Sequence, residues 1–130
     1  MAGARHFTEL IVWKLGDEHR VEVFALTKRP HFRSDFKLRS QIDDAADSLC
    51  RNVAEGFACD THREFARFVR IGRRSLNEVQ DGLRSAVLKE YVTEADLASV
   101  RKLQRRLYAA IAGLLRHLDG GQGPDRRRGK

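Results

Sequence analysis

Asp43, Asp44 and Asp47 crowd into one short stretch, and three carboxylates that near to one another could hold a divalent cation. Helical geometry argues against it. At about 100° per residue the three project over a wide arc, and Asp47 stands four residues before Arg51, the spacing of an ordinary helix ion pair. Cys50 and Cys59 are too few and too close for a disulfide framework or a zinc site. The histidines, His6, His19, His31, His62 and His117, are scattered and form no local constellation. There is no Gly-rich phosphate loop, and no Ser or Cys with an evident base and orienting acid. The chain is expected to be no enzyme and to need no metal or cofactor.

Arginine is the residue type left with chemistry to do. Arg63, Arg67, Arg70 and Arg74 follow one another at spacings of four, three and four, which stacks them in one row on a helix. Such a row is either a solvated face paired with nearby acids such as Glu64, Glu78 and Asp81, or a surface that tracks phosphates. Arg101 and Arg105, with Lys102, Arg106 and Arg116, add a second basic surface. The net charge of +7 favours acidic partners, nucleic acid first among them.

A second constellation is polar and mostly uncharged. Gln41, Ala45, Ser48, Asn52 and Glu55 share one sector of a helix, beside an apolar stripe of Leu38, Ile42, Leu49 and Val53. A plain surface helix has no use for that second row, so it reads as a close helix contact. With Ser75 and Glu78, the residues Gln41, Ser48, Asn52 and Glu55 are expected to form a polar seam between two helices. Glu55 lies near a helix C-terminus, where its charge is disfavoured, and Arg73 or Arg74 is its expected partner.

Four helical segments must position these groups. The first runs from about Thr8 to Arg29, stops before Pro30, and carries two apolar faces. Leu10, Trp13, Val21 and Phe24 lie on one, Val12, Leu15, Val23 and Leu26 on nearly the opposite one. Two apolar faces need two burial surfaces, whether the helix bends at Gly16 or one face meets a neighbouring subunit. A loop from Pro30 to Asp35 leads to the second segment, Phe36 to Gly56, with Gly56 as its expected C-terminal cap. Thr61 and Glu64 have the spacing of a capping box and start the third, which runs to about Glu90. In its core stripe Gly72 costs about 1 kcal/mol relative to alanine, which close approach of another helix would offset. A cap at Thr93 to Asp96 starts the fourth, which ends at about Leu118 after a joint short enough to make the last two segments antiparallel neighbours.

Length and composition fit one all-α domain: 130 residues suffice for a core, and Pro occurs only at Pro30 and Pro124. Residues 1–7 are expected to be disordered, 8–118 to form the helical domain, and 119–130, ending Arg126-Arg127-Arg128-Gly129-Lys130, to be a flexible basic tail. No apolar run is long enough for a membrane span or a leader, so no membrane partner is expected and the cytoplasm is the expected compartment.

Leu10-Ile11-Val12-Trp13-Lys14, the stretch Gln41 to Gly56, Glu64-Phe65-Ala66-Arg67-Phe68 and Arg74-Ser75-Leu76-Asn77-Glu78 resemble the four-helix bundle proteins encoded in rRNA intervening sequences, over about residues 7–118. Gln41, Ala45, Ser48, Asn52, Glu55 and Gly56 are the specific part. The chain is also similar to the accessory protein of diversity-generating retroelements. The resemblance implies a bacterial, non-enzymatic, antiparallel up-and-down four-helix bundle that assembles as a ring-shaped homopentamer. Two departures stand out: the family often has Arg where Asp43 or Asp44 stands, and Gly where Arg74 stands.

Together these readings predict an oligomeric, basic, non-enzymatic protein that associates with nucleic acid, RNA in preference, through Arg63, Arg67, Arg70, Arg74, Arg101 and Arg105. The alternative is an interaction scaffold or accessory subunit for a nucleic-acid enzyme such as a reverse transcriptase.

Overall fold

Two of the long helices begin where a side chain accepts from one of their first amides. The structure, a computed structural model, describes residues 3–120. Within them lie a 3-10 turn at Phe7–Glu9 and five α-helices: α1 Ile11–Thr27, α2 Pro30–Ser34, α3 Phe36–Phe57, α4 His62–Leu88 and α5 Ala98–Asp119. No strand occurs among the described residues. The arrangement is an all-helical bundle. The expected basic tail falls, from residue 121 onward, outside the described residues. In the segment before α1, Phe7 packs edge-on against Trp13 with ring centroids 5.5 Å apart.

The Thr61 hydroxyl accepts from the Glu64 amide at 3.1 Å and starts α4. Thr93 and Asp96 do make a reciprocal pair, Thr93 N–H to Asp96 Oδ2 at 2.8 Å and Asp96 N–H to Thr93 Oγ1 at 3.1 Å. They close only a turn, however, and α5 starts after it, at Ala98. The segment from Pro30 is a short helix rather than the expected loop, because proline at the first helical position loses nothing and presets φ. It drives Phe32 into the core beside Tyr91. At the end of α4, Glu90 takes φ 64°, and the amides of Tyr91 and Glu90 reach back to the carbonyls of Ala86 and Val87, both at 2.9 Å. This is a Schellman closure made without the usual glycine.

Asp35 joins two ends of the bundle. Its carboxylate accepts from the Leu38 amide at 3.2 Å, capping α3, and also from Lys89 Nζ and the Tyr91 hydroxyl, both at 2.9 Å. Those bonds, Lys89 first, hold the Asp35 carboxyl down at about 2 against an ordinary 3.8. A depressed carboxyl contributes stability above its ordinary range and loses it as pH falls toward 2. In thermal melts at pH 7, Asp35→Ala is expected to lower the midpoint more than Tyr91→Phe, since it removes all three bonds at once.

Helices α3 and α4 share the most extensive contact in the molecule. Leu49 lies against Gly72, Ser48 against Ser75 and Ile42 against Gly82, so numbers fall along α3 as they rise along α4. Gly56 is not the C-terminal cap of α3, which continues to Phe57 with Ala58 as the cap. Its role is contact: a Cβ there would stand 2.7 Å from Phe65 Cδ1 and 2.9 Å from Phe68 Cβ. Gly72 does lie at a close approach, with Leu49 Cδ1 3.2 Å from where its Cβ would be.

Of the two apolar faces on α1, Val12, Leu15, Val23 and Leu26 are buried. On the other, Trp13 and Phe24 are half-buried and Val21 is 61% exposed. The core falls into two clusters, one around Leu15, Leu49, Leu76 and Leu107, the other around Val23, Phe32, Ile42 and Leu83. Between them on α1 stands His19, 0% exposed.

Candidate nucleic-acid interface

The arginine row occupies the face of α4 turned away from Phe65, Val69, Leu76 and Val79, which are buried. Arg63, Arg67, Arg70 and Arg74 are all exposed there, and Arg73 joins them around a surface depression of about 470 Å³. Arg73 falls outside the four-three-four spacing, yet its side chain lines the same hollow. The Arg67 guanidinium lies over the Phe68 ring, 4.7 Å from its centroid, which orients it at small cost. Arg70 is ion-paired with Asp119 at the end of α5. Among the described residues the other four guanidinia make no salt bridge, which leaves their charge available to a ligand.

The α5 arginines divide. Arg116 borders, with Arg70, Arg73 and Asp119, a notch that adjoins the row. Arg101 gives both its Nε, at 3.1 Å, and its Nη2, at 3.4 Å, to Glu94. Arg105 is exposed. The Tyr108 hydroxyl meets Gln80 at 3.1 Å, and Gln104 meets Gln80 at 3.3 Å, so this part of α5 is level with residues beyond the arginine row. Arg101 and Arg105 are thus not brought into the row, and Arg73 and Arg116 are. Opposite chain directions in the last two segments would have revealed this, since they set the end of one beside the start of the other.

The polar seam is smaller than its sequence outline. Ser48 Oγ is 2.8 Å from Ser75 Oγ and accepts from Asn52 Nδ2 at 3.0 Å, and Asn52 also donates to the Ser48 carbonyl at 2.8 Å. Gln41, Glu55 and Glu78 are exposed, and among the described residues no salt bridge or hydrogen bond joins Glu55 to Arg73 or Arg74. An exposed carboxylate at a helix end is solvated and needs no such partner.

Asp47 pairs across helices with Arg20 at 3.3 Å, not with Arg51, and Asp43 accepts from Thr27 Oγ1 at 2.8 Å. Burial raises the Asp43 carboxyl above its ordinary value against that bond. No group of three His, Cys, Asp or Glu side chains placed to hold a metal occurs among the described residues. Burial pushes the Cys50 thiol up to about 11, which makes it a poor nucleophile. No helix among the described residues is long and apolar enough to cross a membrane.

One buried polar pair was not legible. Gln104 Oε1 accepts from Gln80, so its amide group faces His19, and Gln104 Nε2 donates to His19 Nε2 at 3.2 Å. The imidazole proton then sits on Nδ1, which is buried and has no hydrogen-bond partner among the described residues. Burial lowers the pKa of His19 from 6.5 to about 4.

Residues 8–113 match the family model described as 23S rRNA-intervening sequence protein. No curated protein matches the chain.

Proposed function

This chain belongs to the 23S rRNA-intervening sequence protein family, and from that premise we propose that it is a non-enzymatic, oligomeric RNA-associating protein. The single observation that carries the reading is the arginine face of α4, five guanidinia around one hollow with, among the described residues, only Arg70 ion-paired. Such a face contacts phosphates and reads no bases, because Phe68, the ring within it, is half-buried beneath Arg67 and offers no stacking platform. In this reading the four long helices form an antiparallel up-and-down bundle, and the bundles assemble as a ring-shaped homopentamer in the cytoplasm. Arg63, Arg67, Arg73 and Arg74 hold the strand, with Arg116 at its edge. Arg105 stands apart, and Arg101 is engaged by Glu94.

A salt titration tests it. With four phosphate contacts to a labelled single-stranded RNA, log affinity falls against log salt with a slope of about −3, so affinity drops roughly 50-fold between about 50 and 200 mM salt. Arg63→Ala with Arg74→Ala is expected to flatten the slope, and Arg105→Ala to leave it unchanged. Absent or salt-insensitive binding overturns the reading.

An apolar groove of about 650 Å³ between α1 and α5, lined by Leu10, Ile11, Ala110 and Leu114, favours a second reading. In it the protein is an accessory subunit for a nucleic-acid enzyme such as a reverse transcriptase, like the accessory protein of diversity-generating retroelements. Co-purification with that enzyme, lost on Ala110→Asp, distinguishes it.

A further inference from the structure

The outward face of α1 carries Ile11, Lys14, Glu18, Val21 and Ala25, continued by Lys28 just past the helix end, and all six are exposed. Their spacing of three and four is that of a helix-packing seam, yet none of the described residues covers it. On the far side of α3 a groove of about 480 Å³ runs between α3 and α4. Leu38, Ile42, Ala45 and Gly82 line its apolar part, and Asp44, Glu78 and Asp81 its acidic part. Gly82, Ser48 and Ser85 are small, which keeps it open.

We propose that the α1 seam of one copy lies in the α3–α4 groove of the next. This rests on the oligomeric part of the reading above and gives it an interface. Of the four large apolar side chains strongly exposed among the described residues, three adjoin these two surfaces. Ile11 at 59% and Val21 at 61% belong to the seam. Leu88, at 66%, continues the row of Glu78, Asp81 and Ser85 past the groove's end. The charges match as well: with Glu18 against Arg51, the one base among the groove's lining residues and at its end, Lys28 falls about 15 Å further along, beside Asp44 and Asp81. At about 1.5 Å per residue, α1 is roughly 25 Å long and the α3 wall from Leu38 to Arg51 roughly 20 Å, so the lengths also agree.

Two grooves facing each other would set acid against acid, so the contact is between unlike surfaces. Each copy then offers one seam and one groove, and a head-to-tail contact of that kind closes into a ring when its rotation allows.

Light scattering on full-length protein at micromolar concentration tests this. Val21→Glu breaks the seam, and Glu78→Lys with Asp81→Lys breaks the groove. Either variant alone is expected at the mass of one chain, with helix content unchanged by circular dichroism. Mixed in equal amounts they are expected to pair as dimers, because one intact seam then meets one intact groove. A wild-type mass retained by either variant, or a mixture that stays monomeric, overturns the interface. A monomeric wild type removes the oligomeric reading itself, a separate result. If Val21→Glu loses helix content, Val21→Gln is measured in its place against the same outcomes.

Discussion

Gly56→Ala lowers the melting temperature by roughly 10 °C, while Gly113→Ala raises it by a few degrees. Propensity alone gives both changes the same sign, since glycine inside a helix is about 1 kcal/mol worse than alanine. Packing separates them. At Gly56 the new methyl meets Phe65 Cδ1 at 2.7 Å, Phe68 Cβ at 2.9 Å and the Phe65 carbonyl oxygen at 3.2 Å. Two of these atoms are backbone or next to it, so α3 and α4 must move apart, which costs about 3 kcal/mol. At Gly113 the nearest atom is Arg116 Nη2 at 3.7 Å, the far end of a flexible side chain. Thermal denaturation of the two variants in parallel checks it, and a Gly56→Ala protein as stable as the parent would show that this crossing is not tight.

Acidification from pH 6.5 to pH 4 is expected to remove about 3 kcal/mol of folding stability through His19 alone. Because burial holds its folded pKa near 4, the unfolded chain binds the extra proton first. Stability is fully present above 6.5 and is lost as pH falls toward 4. Protonated Nε2 would also point its hydrogen at the Gln104 amide, now a donor facing a donor. Asp43, raised by burial, works in the opposite sense, favouring the folded state as pH falls. Asp35 acts at lower pH, toward 2. Urea denaturation across this range should therefore show a slope that His19→Gln, which cannot titrate, largely removes. Parallel curves for the two proteins would exclude His19 as the source.

Local signals carried most of the fold. Thr61 caps α4 where its hydroxyl and the spacing to Glu64 place it, and the row from Leu38 to Val53 is buried in one stripe. Signals that depend on a second helix were harder to read. Gly56 has the chemistry of a cap and the position of one, and only the crossing of Phe65 and Phe68 gives it another use. Pro30 reads equally as a stop and as a first helical residue. Asp47 has Arg51 at the right spacing on its own helix but finds Arg20 on another. The arginine row was visible as periodicity, whereas the membership of Arg73 and the diversion of Arg101 to Glu94 depend on how α4 and α5 lie together.

His19 and Gln104 are separated by 85 positions along the chain, and they join the first long helix to the last. Closing a loop of that length is entropically the most expensive step in assembling the bundle, while α3 and α4, linked by Ala58 to Thr61, meet almost as neighbours. Loop-closure entropy thus favours folding from the α3–α4 hairpin outward, with the α1–α5 joint expected last. Hydrogen exchange is then expected to be faster in α1 and α5 than across the glycine-lined α3–α4 crossing, and to quicken first at the α1–α5 joint as acid charges His19.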